Sequence, residues 1–125
     1  MINNTQTIAN QLITLCSKSL FVEALTELFD TDATSIDPLN PDRGTVKGVE
    51  NILAAEKQFL SRTTIHEVAI SEPIVSGKYF TVRIFMDFTI NNARTKVDEL
   101  GVYEVKDDKI ISQQFFIGSV ERQPS

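Results

Sequence analysis

Apolar residues recur every three or four positions in three segments of the first half of the chain. Residues 5–18 and 21–29 each carry them on one face, and residues 49–60 do so with Glu56 as one polar break. This spacing places apolar side chains along one side of a helix, which can then pack on a core. The pattern therefore predicts three amphipathic helices over these ranges.

The second half of the chain changes to an alternating pattern. Residues 64–71, 97–105 and 110–117 have strand patterns, and the turn KDDK joins the last two. Residues 78–90 alternate most clearly, because all their even positions are apolar: Phe80, Val82, Ile84, Met86, Phe88 and Ile90. Alternation places successive side chains on opposite faces of a sheet. These four segments therefore predict strands that bury one face.

Helices followed by strands predict an α+β fold, in which a curved antiparallel sheet buries one face against three N-terminal helices. No internal repeat or low-complexity linker interrupts residues 1–125, and this length suits a single domain. The odd face of residues 78–90 carries Tyr79, Arg83 and Phe85, and is more apolar than a solvated face requires. We expect a second copy of the chain to cover that face in a homodimer.

The composition narrows the classes of partner. The net charge of −5 argues against binding to nucleic acid or to an anionic membrane, because both depend on Lys and Arg. The N-terminal MINNTQT lacks the basic and apolar parts of a signal peptide, and we expect a cytoplasmic protein. No apolar run approaches the ~20 residues that span a bilayer. The single cysteine, Cys16, lies in a helical apolar pattern and is expected to be a small buried side chain.

The sequence contains no recognisable metal or cofactor motif. A D-x-D run begins at Asp30, but Ser35 and Pro41 occupy the places where a calcium loop needs glycine and glutamate. One histidine and one cysteine give no zinc spacing. Phosphate loops and dinucleotide fingerprints are also absent from the sequence. We expect no cofactor and no metal.

Asp37 is the first candidate for chemistry. It lies between Ile36 and Pro38, where the chain is expected to enter the core. Burial there would raise its pKa towards the range of a general base, unless Arg43 folds back and pairs with it. The alternative is a turn residue, because Asp before Pro often bonds nearby backbone N–H groups. Both interpretations stay open.

His66, the only histidine, is the second candidate. Strict alternation places it on the same face as Val68 and Ile70, which is expected to be the inner face. An inward histidine is a satisfied core residue, a donor in a pocket or a proton carrier. The sequence does not choose among the three.

Three stretches of this sequence resemble the nuclear transport factor 2-like superfamily, and its SnoaL-like branch most closely. They are DATSIDP followed by GVENI, then IVSGKYFTVRIFMDFTI, then DELGVYEVKDDKIISQQFF. The resemblance spans about residues 6–118. It implies a cone in which a curved sheet and three helices enclose an internal pocket, with residues 1–125 as a single SnoaL-like domain.

Within this superfamily, EALTELFDTDATSIDP is similar to a stretch of the ketosteroid isomerases. The match implies that Asp37 is a general base. The two oxyanion donors of those enzymes fall on Ile13 and Gly101, neither of which can donate from a side chain, so steroid isomerisation is not expected. The same alignment implies that Glu99, Gly101 and Tyr103 face the pocket. Hydrophobicity alone favours the competing frame, with Leu100 and Val102 inward.

Two classes of function follow from the residues and the resemblance. The first is an enzyme, an isomerase, cyclase or hydratase that uses cofactor-free acid–base chemistry on a small apolar organic substrate. Asp37 would be the base, and His66, Glu99 or Tyr103 would orient or protonate the substrate. The second is a non-catalytic module that uses the same cone to bind a ligand or to dimerise.

Overall fold

The computed structural model describes residues 4–39 and 44–124. Its helices are α1 (Thr5–Ser17), α2 (Phe21–Leu28) and α3 (Val49–Ser61). Its strands are β1 (Phe29–Ile36), β2 (Thr45–Lys47), β3 (Thr63–Ile70), β4 (Ile74–Ser76), β5 (Tyr79–Ile90), β6 (Ala93–Lys106) and β7 (Lys109–Pro124). The α+β prediction is confirmed, and β1, β2 and β4 are strands that the sequence patterns did not predict.

The sheet is curved, unclosed and mixed. Its order is β2-β1-β7-β6-β5-β3, and β4 also pairs with β5. All neighbouring strands are antiparallel except β1 and β7, which run in the same direction. The expected antiparallel sheet is therefore corrected at this one pair. The reason is that β1 follows α2 directly and joins the far end of the chain, a pairing that local alternation cannot reveal.

Two tight turns fix the register of the long strands. Asn91 and Asn92 both have positive φ angles, of 53° and 62°. Asp107 and Asp108 also have positive φ angles, of 51° and 63°. Such two-residue turns match the twist of a β-hairpin. They hold β6 between β5 and β7, so that Gly101 lies opposite Val82 on one side. The register of β6 decides which of its residues face the helices.

The core lies between the helices and the inner face of the sheet. The even residues at the start of β5 are buried there, as the alternation predicted. Helix α3 reaches the other end of β5 through Phe59, whose ring meets the edge of Phe88 at a centroid distance of 5.4 Å. The main buried apolar residues are Ile8, Leu12, Leu25, Leu28, Ile52, Phe80, Val82 and Ile110. Among the described residues, no helix is long and apolar enough to cross a membrane.

Candidate functional site

A cavity of about 320 Å³ lies between the inner face of the sheet and the three helices. Its apolar wall includes Leu12, Phe21, Leu25, Ile84, Met86 and Phe115. Exposed residues lie at its rim, including Leu39, Gly44, Gln58, Arg62 and Arg122. The cavity therefore opens to solvent on that side, and its volume suits a small organic molecule.

Asp37 follows the last residue of β1 and lines this cavity. Its Oδ1 accepts a hydrogen bond from the Leu39 N–H at 2.9 Å, so the carboxylate also closes a local turn. Burial raises its pKa, and the bond from Leu39 acts in the opposite direction. The two interpretations of Asp37 are thus compatible, because one oxygen serves the turn. Arg43 lies outside the described residues.

Glu99 projects from the middle of β6 into the cavity, in the row opposite Ile84. Burial, together with the charges of Asp37 and Glu56, raises its pKa to about 8. Its Oε2 is buried, and no hydrogen-bond donor in the described part of the chain reaches it. Such a group is costly to leave unpaired, and among the described residues it is the one buried side-chain polar atom without a hydrogen-bond partner.

Glu56 is a cavity residue that the sequence analysis did not select. It projects from α3, and burial followed by the charge of Asp37 raises its pKa to about 7. The signal was present as the polar break in an otherwise apolar helix face. A break of this kind is usually a solvated residue, and only the position of α3 over the cavity distinguishes the two cases.

Tyr103 and Gly101 share the inner face of β6 with Glu99. The Tyr103 ring stacks on Phe80 with 4.8 Å between centroids, and burial raises the pKa of its phenol well above 10.0. A Cβ at position 101 would lie 2.9 Å from Tyr103 Cε1 and 3.1 Å from its hydroxyl. Gly101 therefore makes room for the phenol. The frame with Leu100 inward is not the observed one, because Leu100 is 47% exposed.

His66 lies outside the cavity, which corrects the expectation that it faces inward with Val68 and Ile70. The pairing of β3 with β5 shifts between Ile65 and Glu67, a β-bulge that breaks strict alternation. His66 is consequently exposed, and its Nε2 lies 2.7 Å from Thr89 Oγ1. We assign it no part in the cavity.

The remaining polar groups of the lining are neutral or lie at the rim. Burial raises the pKa of the Cys16 thiol to about 12, so the thiol is neutral. Arg62 and Arg122 are exposed; their Nε groups bond Gln58 O at 3.5 Å and Thr95 Oγ1 at 3.4 Å. Within residues 4–39 and 44–124, no group of three or more His, Cys, Asp or Glu is arranged to hold a metal ion.

The family model described as a SnoaL-like domain matches residues 3–117. The chain belongs to the SnoaL-like domain family. This confirms the resemblance to the nuclear transport factor 2-like superfamily. The comparison with curated proteins found no significant match.

Solved structures show the same fold for this SnoaL-like domain. A candidate SnoaL-like polyketide cyclase from Mesorhizobium loti has a TM-score of 0.83 at 23% identity, over 88% of this chain and 96% of the other. A nuclear transport factor 2-like protein from Anabaena variabilis has a TM-score of 0.77 at 17% identity, over 95% of each chain. An LEH-like epoxide hydrolase from M. tuberculosis has a TM-score of 0.71 at 13% identity, over 91% of this chain and 82% of the other. At these identities the likeness concerns the fold alone.

Proposed function

We propose that this SnoaL-like protein binds a small, mostly apolar organic molecule in its cavity and converts it by cofactor-free acid–base chemistry. The reaction class is isomerisation, cyclisation or hydration. The observation that carries the proposal is the position of Asp37, a carboxylate at the wall of an apolar cavity with one oxygen bonded to Leu39. The fold is shared with proteins named as a cyclase and an epoxide hydrolase, which supports this class.

The surroundings of each group support separate roles. Asp37 is the base, because the Leu39 N–H stabilises its ionised form and its side chain lines the cavity, where it meets a substrate proton. Tyr103 is the donor, since burial keeps its phenol protonated at neutral pH. Glu99 orients the substrate from the second inner position beyond Tyr103 along β6, with Gly101 between them. A base and a donor of fixed protonation are the minimum for moving a proton across a bound molecule.

The test compares wild type with Asp37→Asn on a panel of small cyclic ketones and epoxides. Exchange of ketone α-protons into D₂O and hydration of epoxides are both followed by NMR. Asn keeps the shape of the side chain but cannot accept a proton, so the rate should fall by about 10²–10⁴-fold, the usual contribution of a general base.

His66→Ala is the matched control, because His66 is the one sequence-derived candidate that lies outside the cavity. It should retain the wild-type rate on every substrate. Equal turnover by wild type and Asp37→Asn would overturn the catalytic proposal. Binding without turnover would favour the alternative, a non-catalytic ligand-binding module.

We also propose a homodimer through the outer face of the sheet. Leu100 and Phe116 pair across β6 and β7 on that face and are 47% and 48% exposed. Tyr79 is 45% exposed at the near end of β5. Arg83 lies beside them and bonds both oxygens of Asp98, at 2.9 and 2.5 Å. Exposed apolar residues around a paired charge are typical of a surface that a partner covers.

A further inference from the structure

We propose that the ligand of this cavity carries a protonated amine on an apolar body, with the ammonium group held between Glu56 and Glu99. This inference rests on the proposed ligand-binding function and narrows it to one chemical class. It leaves Asp37 free as the base beside the amine-bearing end of the ligand.

The charge of the cavity is the first argument. Asp37, Glu56 and Glu99 come from a strand end, a helix and the central strand β6, and each contributes a carboxyl group to the same space. Their charges reach one another, because Asp37 raises the pKa of Glu56, and Asp37 and Glu56 both raise the pKa of Glu99. Three acids in one apolar cavity cannot all be ionised unless a positive charge lies beside them, and without one some of them stay protonated.

No described cation supplies that charge. Arg62 and Arg122 are at the rim, and neither shifts the pKa of the three acids. Arg122 pairs with Thr95, four positions along β6 from Glu99, which corresponds to about 13 Å at ~3.3 Å per residue. Cys16 and Tyr103, the other titratable groups of the lining, are neutral at pH 7 because burial raises both pKa values.

The buried Oε2 of Glu99 is the second argument, and it points to a donor. It faces the cavity, and no donor in the described part of the chain bonds it. An ammonium N–H supplies both the missing hydrogen bond and the missing charge, and charge-assisted bonds are the stronger kind. A neutral alcohol supplies only the bond, and a carboxylate ligand adds a further negative charge.

The walls fit the rest of such a ligand. The aromatic rings of Tyr103 and Phe115 lie on the same side as Glu99, edge to face with 6.4 Å between centroids. Aromatic faces attract cations that have left water. Beyond them the cavity is apolar, and its volume of about 320 Å³ holds a small ring or a branched chain. A tertiary amine on a hydrocarbon body combines these features.

The experiment measures the binding of three probes of similar size by calorimetry. Benzyldimethylamine is a cation, benzyl alcohol is neutral and phenylacetate is an anion at pH 7. The amine should bind more tightly than the alcohol, by at most about tenfold for each unit by which it lowers the pKa of Glu99 or Glu56, because at pH 7 part of that energy goes into releasing protons. Phenylacetate should bind most weakly.

Proton release gives a second readout. Glu56 and Glu99, with pKa values of about 7 and 8, are partly protonated at pH 7, and the ammonium favours their ionised forms. Binding of the amine should therefore release about one proton. Titrations in phosphate and Tris, which differ in ionisation enthalpy, report that proton. Benzyl alcohol should release none.

The variants separate this inference from simple loss of structure. Glu99→Gln should lose at least about tenfold of the affinity for the amine while its affinity for benzyl alcohol stays within about twofold. Glu56→Gln should behave alike. Glu67→Gln is the control, because Glu67 is exposed on β3 and does not line the cavity. It should bind all three probes as wild type does.

Each outcome is decisive. A preference for the amine that Glu99→Gln abolishes supports the inference. Equal binding of amine and alcohol overturns it and leaves the proposed ligand cavity intact. A preference for phenylacetate overturns it and identifies the acids as neutral donors. If none of the three probes binds, the amine inference fails, and the Asp37→Asn rate comparison judges the proposed function separately.

Discussion

The Leu39 N–H donates to Asp37 Oδ1 at 2.9 Å, so a residue at the cavity wall also closes a turn. Two variants distinguish the role of Asp37 in the cavity wall from its role in the turn. Asp37→Asn keeps the acceptor and removes the charge, whereas Asp37→Ala removes both. We expect Asp37→Ala to be less stable than Asp37→Asn by about 0.5–1.5 kcal/mol of unfolding free energy, the usual value of one hydrogen bond.

The pH dependence of Asp37→Asn follows from the raised pKa of Asp37. A raised pKa in the folded state means that ionisation destabilises the fold as pH rises above the ordinary value of 3.8. In thermal melts, Asp37→Asn should therefore be neutral or stabilising at pH 8, and less so as the pH falls towards 3.8. A melting temperature at pH 8 as low as that of Asp37→Ala would contradict the burial of this carboxylate.

Glu99→Gln should become more stable relative to wild type as pH rises. The folded pKa of about 8 lies above the ordinary 4.5, so wild type loses stability through this window while the variant does not. Each pKa unit corresponds to about 1.4 kcal/mol. Chemical denaturation at pH 5 and pH 8.5 measures the difference, and Glu67→Gln serves as the exposed control. A constant difference across the two pH values would rule out a buried Glu99.

Gly101→Ala should destabilise the protein by about 1–3 kcal/mol, the range for overpacking in a core. The new methyl would lie 2.9 Å from Tyr103 Cε1 and 3.3 Å from Phe115 Cε1. Tyr103→Leu in the same chain should restore part of the loss, because the smaller side chain removes the first contact. Additive effects of the two substitutions, measured by denaturation, would show that Tyr103 and residue 101 do not compete for the space.

Leu100→Lys together with Phe116→Lys should convert the proposed dimer to a monomer in light scattering. These positions are preferable to Arg83, because replacing Arg83 would leave Asp98 without its partner. Gln11→Lys, on the exposed side of α1, is the control and should stay dimeric. A wild-type protein that is monomeric at tens of micromolar, a concentration above the Kd of about 10 µM of a weak dimer, would contradict the proposed dimer.

Amide hydrogen exchange should be slowest in residues 80–90. Strand β5 has β6 on one side and β3 and β4 on the other, so its backbone groups are bonded in both directions. Strand β2 lies at an edge and should exchange much faster. Fast exchange throughout 80–90 would contradict the observed sheet order.

The sequence predicted the elements whose patterns are local. Helices and long strands repeat their periodicity over eight or more residues, and the structure places them within a few residues of the predicted ranges, apart from the longer end of β7. Strand β1 was not predicted from the sequence, because its pairing with β7 is irregular between Phe29 and Thr34 and no clean alternation forms. Strands β2 and β4 are too short to show a period.

The candidate site was predictable only where a residue's face could be inferred. The family resemblance placed Glu99 and Tyr103 on the cavity face, whereas hydrophobicity alone favoured Leu100 and Val102. The register of β6, which the hairpin turns fix, puts Glu99 and Tyr103 there. His66 was misplaced because a bulge moves one side chain without leaving a mark in the local pattern. Glu56 was passed over because the packing of α3 on the sheet depends on the whole chain.

The bulge at His66 also affects how copies of the chain meet one another. Strand β3 is an edge of the sheet, and an edge with regular free backbone groups invites another strand to pair with it. The irregular spacing around residue 66 and the exposed Glu67 interrupt that row. At the opposite edge, β2 has three residues and ends at Lys47. Addition of a further strand is thus expected to be disfavoured at the β3 and β2 edges of the unclosed sheet.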